Sequence, residues 1–245
     1  MLAYTVAMRA AGVELRERTA FRGLEPPVGG GPLVVKTGGG TIEAERVLLT
    51  GGPALRAVGG LAGSQVPVGG TRHTVCVTEP NEVFAVERMA MVFDIGAGLY
   101  FRLEEGGLLF GYSNPDEAPG LARDIDWTFY ARMRERLAEL APLTRNLALR
   151  RLWVATIDFT PDHFPIVGAA LGRDGAPIAG VTLASAGGHG MMWGPAVARV
   201  AADLALEGRT DVVDVTHLGL DRFDAAGRSR LRPDPIALPF PPSTD

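Results

Sequence analysis

This 245-residue sequence has a single cysteine, no strong excess of positive or negative charge, and few long apolar runs. The single cysteine, Cys76, excludes an internal disulfide and fits a reducing compartment, and its apolar neighbours predict a buried, inert thiol. A net charge of −4 gives no basis for binding nucleic acid or an anionic membrane. No run reaches the length of a membrane span, and the first residues lack the order of a signal peptide. We therefore expect a cytoplasmic protein with no nucleic-acid partner and no membrane span.

Two site-forming patterns are also missing. The four histidines, at positions 73, 163, 189 and 217, show no metal-ligand spacing, so no metal site is predicted. The glycine runs at 29–31 and 38–40 lack the G-x-G-x-x-G spacing of a dinucleotide-binding loop. They lie between strand-like runs and predict ordinary turns.

The order of apolar patterns predicts two kinds of architecture. Residues 1–60 indicate a helix, three strands and a short helix. Closely spaced strands, which are typical of an antiparallel sheet, are then predicted near 71–79, 90–95, 98–104 and 107–112. A helix near 126–140, with Trp127, Tyr130, Met133, Leu137 and Leu140 on one face, and a strand near 147–157 follow. Residues 158–224 return to a strand–turn–helix pattern.

The most informative stretch is 179–206. Val181 and Leu183 lie in a short apolar run that predicts a buried strand, and a glycine turn and an amphipathic helix follow. Gly208 stands where a helix C-cap belongs, and Pro195, tolerated only near a first turn, is expected to mark the helix start. A helix N-terminus beside a loop without side chains suits an anionic cofactor edge. An ordinary β-α turn is the alternative interpretation.

Seven segments carry motifs that are distinctive when they are taken together: Val47–Pro53, Arg72–Glu79, Tyr100–Arg102, Gly106–Gly111, Trp153–Gly168, Gly187–Pro195 and Arg222-Phe223. Together they resemble the flavin-dependent amine oxidases of the D-amino-acid oxidase superfamily. The nearest subgroup is the sarcosine oxidase β-subunit with related N-methylglycine dehydrogenases. The resemblance covers nearly the whole chain, and the Thr160–Asp162 and Gly188–Gly190 blocks are specific as a pair and weak singly.

This resemblance implies a mixed α/β (α+β) fold. Residues 1–64 and 158–224 would form a partial FAD-binding domain of the glutathione-reductase type, with a strand at Gly12–Leu15. Residues 65–157 would form an antiparallel substrate-binding lobe with a helix, and 225–245 a proline-rich tail. The family opens with a G-x-G-x-x-G unit, so its absence from this sequence leads us to expect a truncated or split-gene C-terminal portion.

The resemblance also implies the site. FAD contacts are expected from Gly51, Gly52, Pro53, Gly187, Gly188, His189, Gly190 and Met191, and catalytic roles from His189, Arg102 and Tyr100. Both glycine segments are expected to border the largest concave pocket. His189 is equally consistent with a histidine that satisfies backbone groups in the turn. Arg102 is also explained as a strand arginine with a surface partner, and Arg72 and His73 carry the same ambiguity.

Two departures from the family bear on the chemistry. Met192 replaces a lysine that holds the substrate carboxylate in monomeric sarcosine oxidases. Ala155 replaces their flavin-linking cysteine, which implies non-covalent FAD. We predict an oxidoreductase that transfers hydride from an amino acid or N-methylated amine to FAD and forms an imine. FAD binding is expected to be weak or absent in the isolated chain, with a complementing chain supplying the G-x-G-x-x-G unit. The alternative is a non-catalytic fragment that acts as an interaction module.

Overall fold

A computed structural model describes residues 2–25, 29–85, 89–96, 98–224 and 226–231. Short 3₁₀ turns lie at Gly52–Ala54, Glu82–Phe84, Pro142–Thr144 and Leu220–Arg222. In chain order the helices and strands are α1 Leu2–Ala10, β1 Phe21–Glu25, β2 Leu33–Thr37, β3 Gly40–Ala44, β4 Val47–Leu49, α2 Leu55–Leu61, β5 Gly69–Thr78, β6 Val92–Asp94, β7 Leu99–Glu104, β8 Gly107–Ser113, α3 Trp127–Leu140, β9 Leu149–Phe159, β10 Ile166–Leu171, β11 Pro177–Ser185 and α4 Gly190–Glu207.

The strands form three sheets. β1, β2 and β3 make an antiparallel meander, and β6-β7-β8-β5-β9 make a five-stranded antiparallel sheet. The third sheet has the order β10-β11-β4, in which β10 runs antiparallel and β4 parallel to β11. The predicted mixed α/β fold, with antiparallel strands and a helix between two cofactor-type segments, is confirmed. The exact domain boundaries at 64/65 and 157/158 stay a prediction.

The five-stranded sheet packs one face against α3. Asp126 caps this helix, because its Oδ1 accepts a hydrogen bond from Phe129 N at 2.9 Å. Cys76 is fully buried in this core, and burial raises the pKa of its thiol to about 12. The predicted strands and helix are confirmed within a few residues. The buried side chains of the core are Cys76, Phe84, Leu99, Phe101, Leu108, Phe110, Phe129, Met133 and Leu137.

The predicted apolar face of α3 is only partly correct. Met133 and Leu137 are buried as expected, but Trp127 is 60% and Leu140 41% exposed. Phe129 takes the core position instead and stacks on Tyr112 with ring centroids 5.2 Å apart. The helix is therefore rotated about its axis relative to the prediction, because the fit to the sheet decides which apolar stripe is buried.

Helix α4 covers the sheet β10-β11-β4. Val200 and Ala201 of α4 pack against Val167 and Ala184 on β10 and β11. The helix ends at Gly208, whose φ of 71° is the left-handed cap conformation predicted for it. This packing fixes where α4 begins, and so positions the turn that precedes it.

Three expectations about the rest of the chain can be compared with the fold. The strand expected at Gly12–Leu15 is wrong, since these residues form a turn and an extended segment outside any sheet. The tail expectation falls mostly on residues 232–245, which lie outside the described residues. None of the helices in the described part of the chain is long and apolar enough to cross a membrane.

Candidate functional site

The two glycine segments follow neighbouring parallel strands. Val47 and Leu49 on β4 pair with Val181 and Leu183 on β11, so the two strands end at the same edge of the sheet. Gly51-Gly52 follows β4 and Gly187-Gly188 follows β11. The carboxyl edge of parallel strands is the usual ligand-binding edge of α/β folds. The structure thus brings together the two segments that the sequence assigned to one cofactor.

Glycine is required at position 187. Its φ is +59°, and a Cβ atom there would lie 2.6 Å from the Phe164 carbonyl oxygen and 3.1 Å from Thr160 Oγ1. Gly188 follows with φ +97°, so the turn contains two successive left-handed residues. Ser185 Oγ accepts from Gly187 N at 3.3 Å and donates to Asp158 Oδ2 at 2.7 Å. The turn is therefore fixed both to the 160–164 loop and to β9.

The Gly51-Gly52 turn is equally tight. A Cβ atom at Gly51 would lie 2.9 Å from Leu55 Cα, at the start of α2. Gly52 has φ +51°, and the 3₁₀ turn that it begins contacts β5 and β9. This segment therefore joins the edge of β4 to the five-stranded sheet.

His189 stands at the N-terminus of α4. Its carbonyl accepts from Met192 N at 3.0 Å and Trp193 N at 2.8 Å, and its ring stacks on Trp193 with centroids 4.1 Å apart. The helix begins at Gly190, so the expectation that Pro195 marks its start is wrong. Proline lacks the N–H that would bond the Met191 carbonyl. The Met191 side chain is 94% exposed.

The expected pocket is not the cavity of about 1340 Å³ in this structure. That cavity is lined by residues such as Val66, Arg173 and Phe223, and neither glycine segment contributes to it. It reaches the turn between β10 and β11, at the opposite end of β11 from Gly187. Its lining also includes Phe159, Pro161 and Ser229, so another part of the cavity wall lies beside the 160–164 loop.

Tyr100 belongs to a hydrogen-bonded chain on the sheet face opposite α3. His73 Nε2 lies 2.9 Å from Tyr100 Oη, and His73 Nδ1 lies 2.7 Å from Ser113 Oγ. The Tyr100 ring lies over Gly111, where a Cβ would meet the phenol oxygen, and stacks beside His73. Burial lowers the pKa of His73 to about 4 and raises that of Tyr100 to about 12, so both stay uncharged at neutral pH.

Arg102 shares this face two residues along β7. Its guanidinium forms an ion pair with Glu104 and donates to the Leu103 carbonyl at 3.0 Å, and its side chain is 42% exposed. A substrate carboxylate would have to compete with Glu104 for it. The sequence predicted catalytic roles for Tyr100 and Arg102 and left the role of His73 open. It did not indicate Ser113. The signal for Ser113 is the register of β5 and β8, in which it stands directly opposite His73.

A buried ion pair lies behind the glycine turn. Asp162 is fully buried and accepts from Arg222 Nε at 2.7 Å and Nη2 at 3.0 Å, and it also accepts from Ser229 Oγ. Burial opposes ionisation of Asp162, but the bonds from Arg222 and Ser229 leave its pKa below the ordinary value. In this structure Asp162 is therefore the partner of Arg222 in a buried ion pair. No cluster of metal-binding side chains occurs within the described ranges.

Several known proteins are similar to this chain. Human mitochondrial sarcosine dehydrogenase is 30% identical over 145 residues, which are 56% of this chain and 16% of that protein. D-amino acid dehydrogenase of Cereibacter sphaeroides is 31% identical over 229 residues, or 91% of this chain and 48% of that protein. Glycine oxidase from Geobacillus kaustophilus has a similar structure, with a TM-score of 0.75 at 22% identity, over 91% of this chain and 57% of that one.

The chain spans at most about half the length of these curated relatives. The resemblance to sarcosine-type dehydrogenases that the sequence motifs indicate is confirmed by them. The family model described as FAD dependent oxidoreductase matches residues 1–204, from α1 through the glycine turn and most of α4. The chain therefore belongs to the DAO family of FAD-dependent oxidoreductases.

Proposed function

We propose that this chain supplies the flavin-ring side of an enzyme that oxidises the C–N bond of an amino acid or an N-methylated amine. The observation that carries the proposal is the pair of glycine turns, Gly51-Gly52 and Gly187-Gly188, at one carboxyl edge of β4 and β11. Ligands of α/β folds bind outside that edge. Membership of the DAO family supports FAD as the ligand.

The residues at this edge fit an extended anionic cofactor. A Cβ atom at Gly52 or Gly190 would meet no atom within 4 Å, so both glycines border open space. The first N–H groups of α4 have no partner within the helix, and they lie at the positive end of its dipole. Such groups stabilise negative charge on a reduced flavin. We assign non-covalent FAD contacts to Gly51, Gly52, Pro53, Gly187, Gly188, His189, Gly190 and Met191.

The sheet face supplies the substrate groups in this proposal. A bound flavin would supply the acceptor for the hydride that leaves the substrate carbon, and loss of a proton from the substrate nitrogen would complete the imine. If Ser113 donates to His73 Nδ1, then Nε2–H donates to the Tyr100 oxygen. The phenolic proton is then left for a substrate carboxylate. His189 orients the flavin ring, and Arg102 binds a carboxylate only when it is released from Glu104.

The proposed site needs a further part. In the described structure β4 pairs only with β11, and Leu48 on β4 is 37% exposed. Helix α1 has no buried residue, and its Leu2, Tyr4 and Val6 side chains are 80%, 64% and 61% exposed. We propose that a segment or chain with a G-x-G-x-x-G β-α-β unit covers these surfaces and binds the FAD pyrophosphate. Alone, this chain binds FAD weakly or not at all.

The same exposed surfaces favour a second candidate function. A sheet edge and an apolar helix with no partner in the described residues also suit a non-catalytic chain that binds another protein. The two functions differ in what happens after the partner binds, because only the first requires amine-dependent flavin reduction.

Anaerobic reduction of bound flavin tests the proposal. The chain is mixed with a β-α-β polypeptide carrying the G-x-G-x-x-G unit, loaded with FAD, and treated with sarcosine, dimethylglycine and several D- and L-amino acids. Bleaching of the visible flavin band by at least one of them is expected. Tyr100→Phe should slow the bleaching, whereas Tyr130→Phe on α3 should not. Flavin that binds tightly but is bleached by none of these substrates would favour the non-catalytic module.

A further inference from the structure

The Asp162–Arg222 ion pair lies at the centre of a buried polar cluster. Arg222 is 5% exposed, and besides Asp162 it donates to the carbonyls of Leu218 at 2.8 Å and Phe164 at 3.1 Å. Ser229 adds a hydrogen bond to Asp162 from further along the chain. The cluster therefore ties residues 218–222 and Ser229 to the 160–164 loop.

The Phe164 carbonyl is where this cluster meets the glycine turn. It accepts from Arg222 Nη2 at 3.1 Å and from Thr160 Oγ1 at 2.7 Å. The same oxygen lies 2.6 Å from the position that a Cβ would take at Gly187. One carbonyl group thus accepts a hydrogen bond from the buried arginine and lies close to the backbone of the turn.

His163 gives a second link between the loop and the turn. It has a φ of 60°, which is unusual for a residue other than glycine, and it is 7% exposed. Burial and the neighbouring His189 lower the pKa of His163, and the Asp162 carboxylate acts in the opposite direction. His163 therefore lies within electrostatic range of His189, the residue that precedes α4.

We propose that Asp162 and Arg222 are positioning residues for the glycine turn. By holding the Phe164 carbonyl they fix Gly187, and through it the direction of the His189 ring and of the first N–H groups of α4. The proposal rests on the proposed function only in that the turn is taken to hold the flavin ring. Its structural part applies to the chain without any cofactor.

Hydrogen exchange of the cofactor-free chain tests the positioning role. In Asp162→Asn, amides of residues 186–193 should exchange about tenfold faster or more, because the buried arginine loses its charge partner. Peptides from β5 and α3 should change less. The matched control is Asp94→Asn, whose carboxylate also receives two bonds from one arginine, Arg136, at 2.9 and 2.6 Å. That control should leave exchange at 186–193 unchanged.

Trp193 gives an independent spectroscopic readout. The chain has three tryptophans, so Trp127→Phe with Trp153→Phe leaves Trp193 as the sole tryptophan, which is excited selectively over tyrosine at the red edge of its absorption. In that background Asp162→Asn should change Trp193 emission, because the stacked His189 ring moves. Ser229→Ala removes only one bond to Asp162 and serves where Asp162→Asn does not fold. It should produce a smaller change of the same sign.

These outcomes separate the positioning role from simple stabilisation. If Asp162→Asn and Ser229→Ala lower stability but leave exchange at 186–193 and Trp193 emission as in the parent, the proposal is overturned. The result is also independent of the proposed function. Hydrogen exchange at residues 186–193 can respond to Asp162→Asn in a chain that never binds flavin. It can also fail to respond in a complex that does bind flavin.

Discussion

The two sides of the candidate site are held in different ways. The turn side depends on a buried ion pair, Asp162–Arg222, and on a glycine at position 187 that no other residue can replace without strain. The sheet side depends on uncharged hydrogen bonds between Ser113, His73 and Tyr100. A backbone turn that is fixed by a buried ion pair suits a cofactor that must be placed with little freedom. An uncharged side-chain network suits a substrate that enters and leaves.

The two sides of the site also differ in whether backbone or side-chain atoms form the surface that a ligand would contact. At the turn the contact surface is backbone, because Gly52, Gly188 and Gly190 carry no side chains there. On the sheet the surface is made by side chains, with Trp153 42% exposed on the same face. We therefore expect substitutions at the turn to change stability and cofactor binding together. Substitutions on the sheet face should change substrate binding more than they change stability or cofactor binding.

The largest expected effect breaks the ion pair on the turn side. Arg222→Met leaves Asp162 charged and buried without its partner, which should lower the free energy of unfolding by about 3–5 kcal/mol. Arg102→Met removes a guanidinium that also binds a carboxylate and a carbonyl, but in an exposed place, and should cost less than about 1 kcal/mol. Urea unfolding measures both. Equal losses of unfolding free energy in the two variants would contradict the conclusion that a buried ion pair holds the turn.

The second effect tests the uncharged network on the sheet side. Folding lowers the pKa of His73 from 6.5 to about 4, so between these values the unfolded chain binds more protons. The free energy of unfolding should therefore fall as pH decreases from 6.5 to 4, by about 3 kcal/mol from this group. His73→Gln should remove this part of the slope, whereas the exposed His217→Gln should not. An unchanged slope in His73→Gln would show that His73 titrates normally.

The third effect compares two glycines within the same turn. Gly187→Ala should cost about 2 kcal/mol or more, from its left-handed backbone and the contact with the Phe164 carbonyl. Gly190→Ala places its methyl in open space and should change stability by less than about 1 kcal/mol. Thermal and urea unfolding distinguish them. In a flavin-loaded complex Gly190→Ala should still weaken binding, because the methyl occupies the cofactor's space.

The smallest effect concerns a hydroxyl at the start of β5. Thr71 Oγ1 is buried and has no hydrogen-bond partner in the described structure, so Thr71→Val should change stability by less than about 1 kcal/mol. Thr144→Val removes a 2.8 Å bond to the Ala141 carbonyl from an equally buried hydroxyl and should cost about 1–2 kcal/mol. A larger loss in Thr71→Val than in Thr144→Val would show that Thr71 has a partner.

Local patterns in the sequence predict one side of the site better than the other. The turn at 187–190 and the cap at Gly208 follow from residues close in the chain, and the structure has both. The bond between His73 and Tyr100 joins residues 27 positions apart, and that between Asp162 and Arg222 joins residues 60 apart. These bonds depend on sheet register and chain crossing. The expectation for Pro195 was wrong because α4 accommodates a proline at its sixth residue, without the N–H that would bond the Met191 carbonyl.

Titration of the isolated chain with FAD tests the central proposal most directly. The chain is titrated alone and again with a polypeptide that carries a G-x-G-x-x-G β-α-β unit, and protein-bound flavin is followed by its visible absorption. We expect little or no saturable binding by the chain alone and stoichiometric binding by the mixture, weakened by Gly190→Ala. Tight stoichiometric binding by the chain alone, unaffected by Gly190→Ala, would contradict the account.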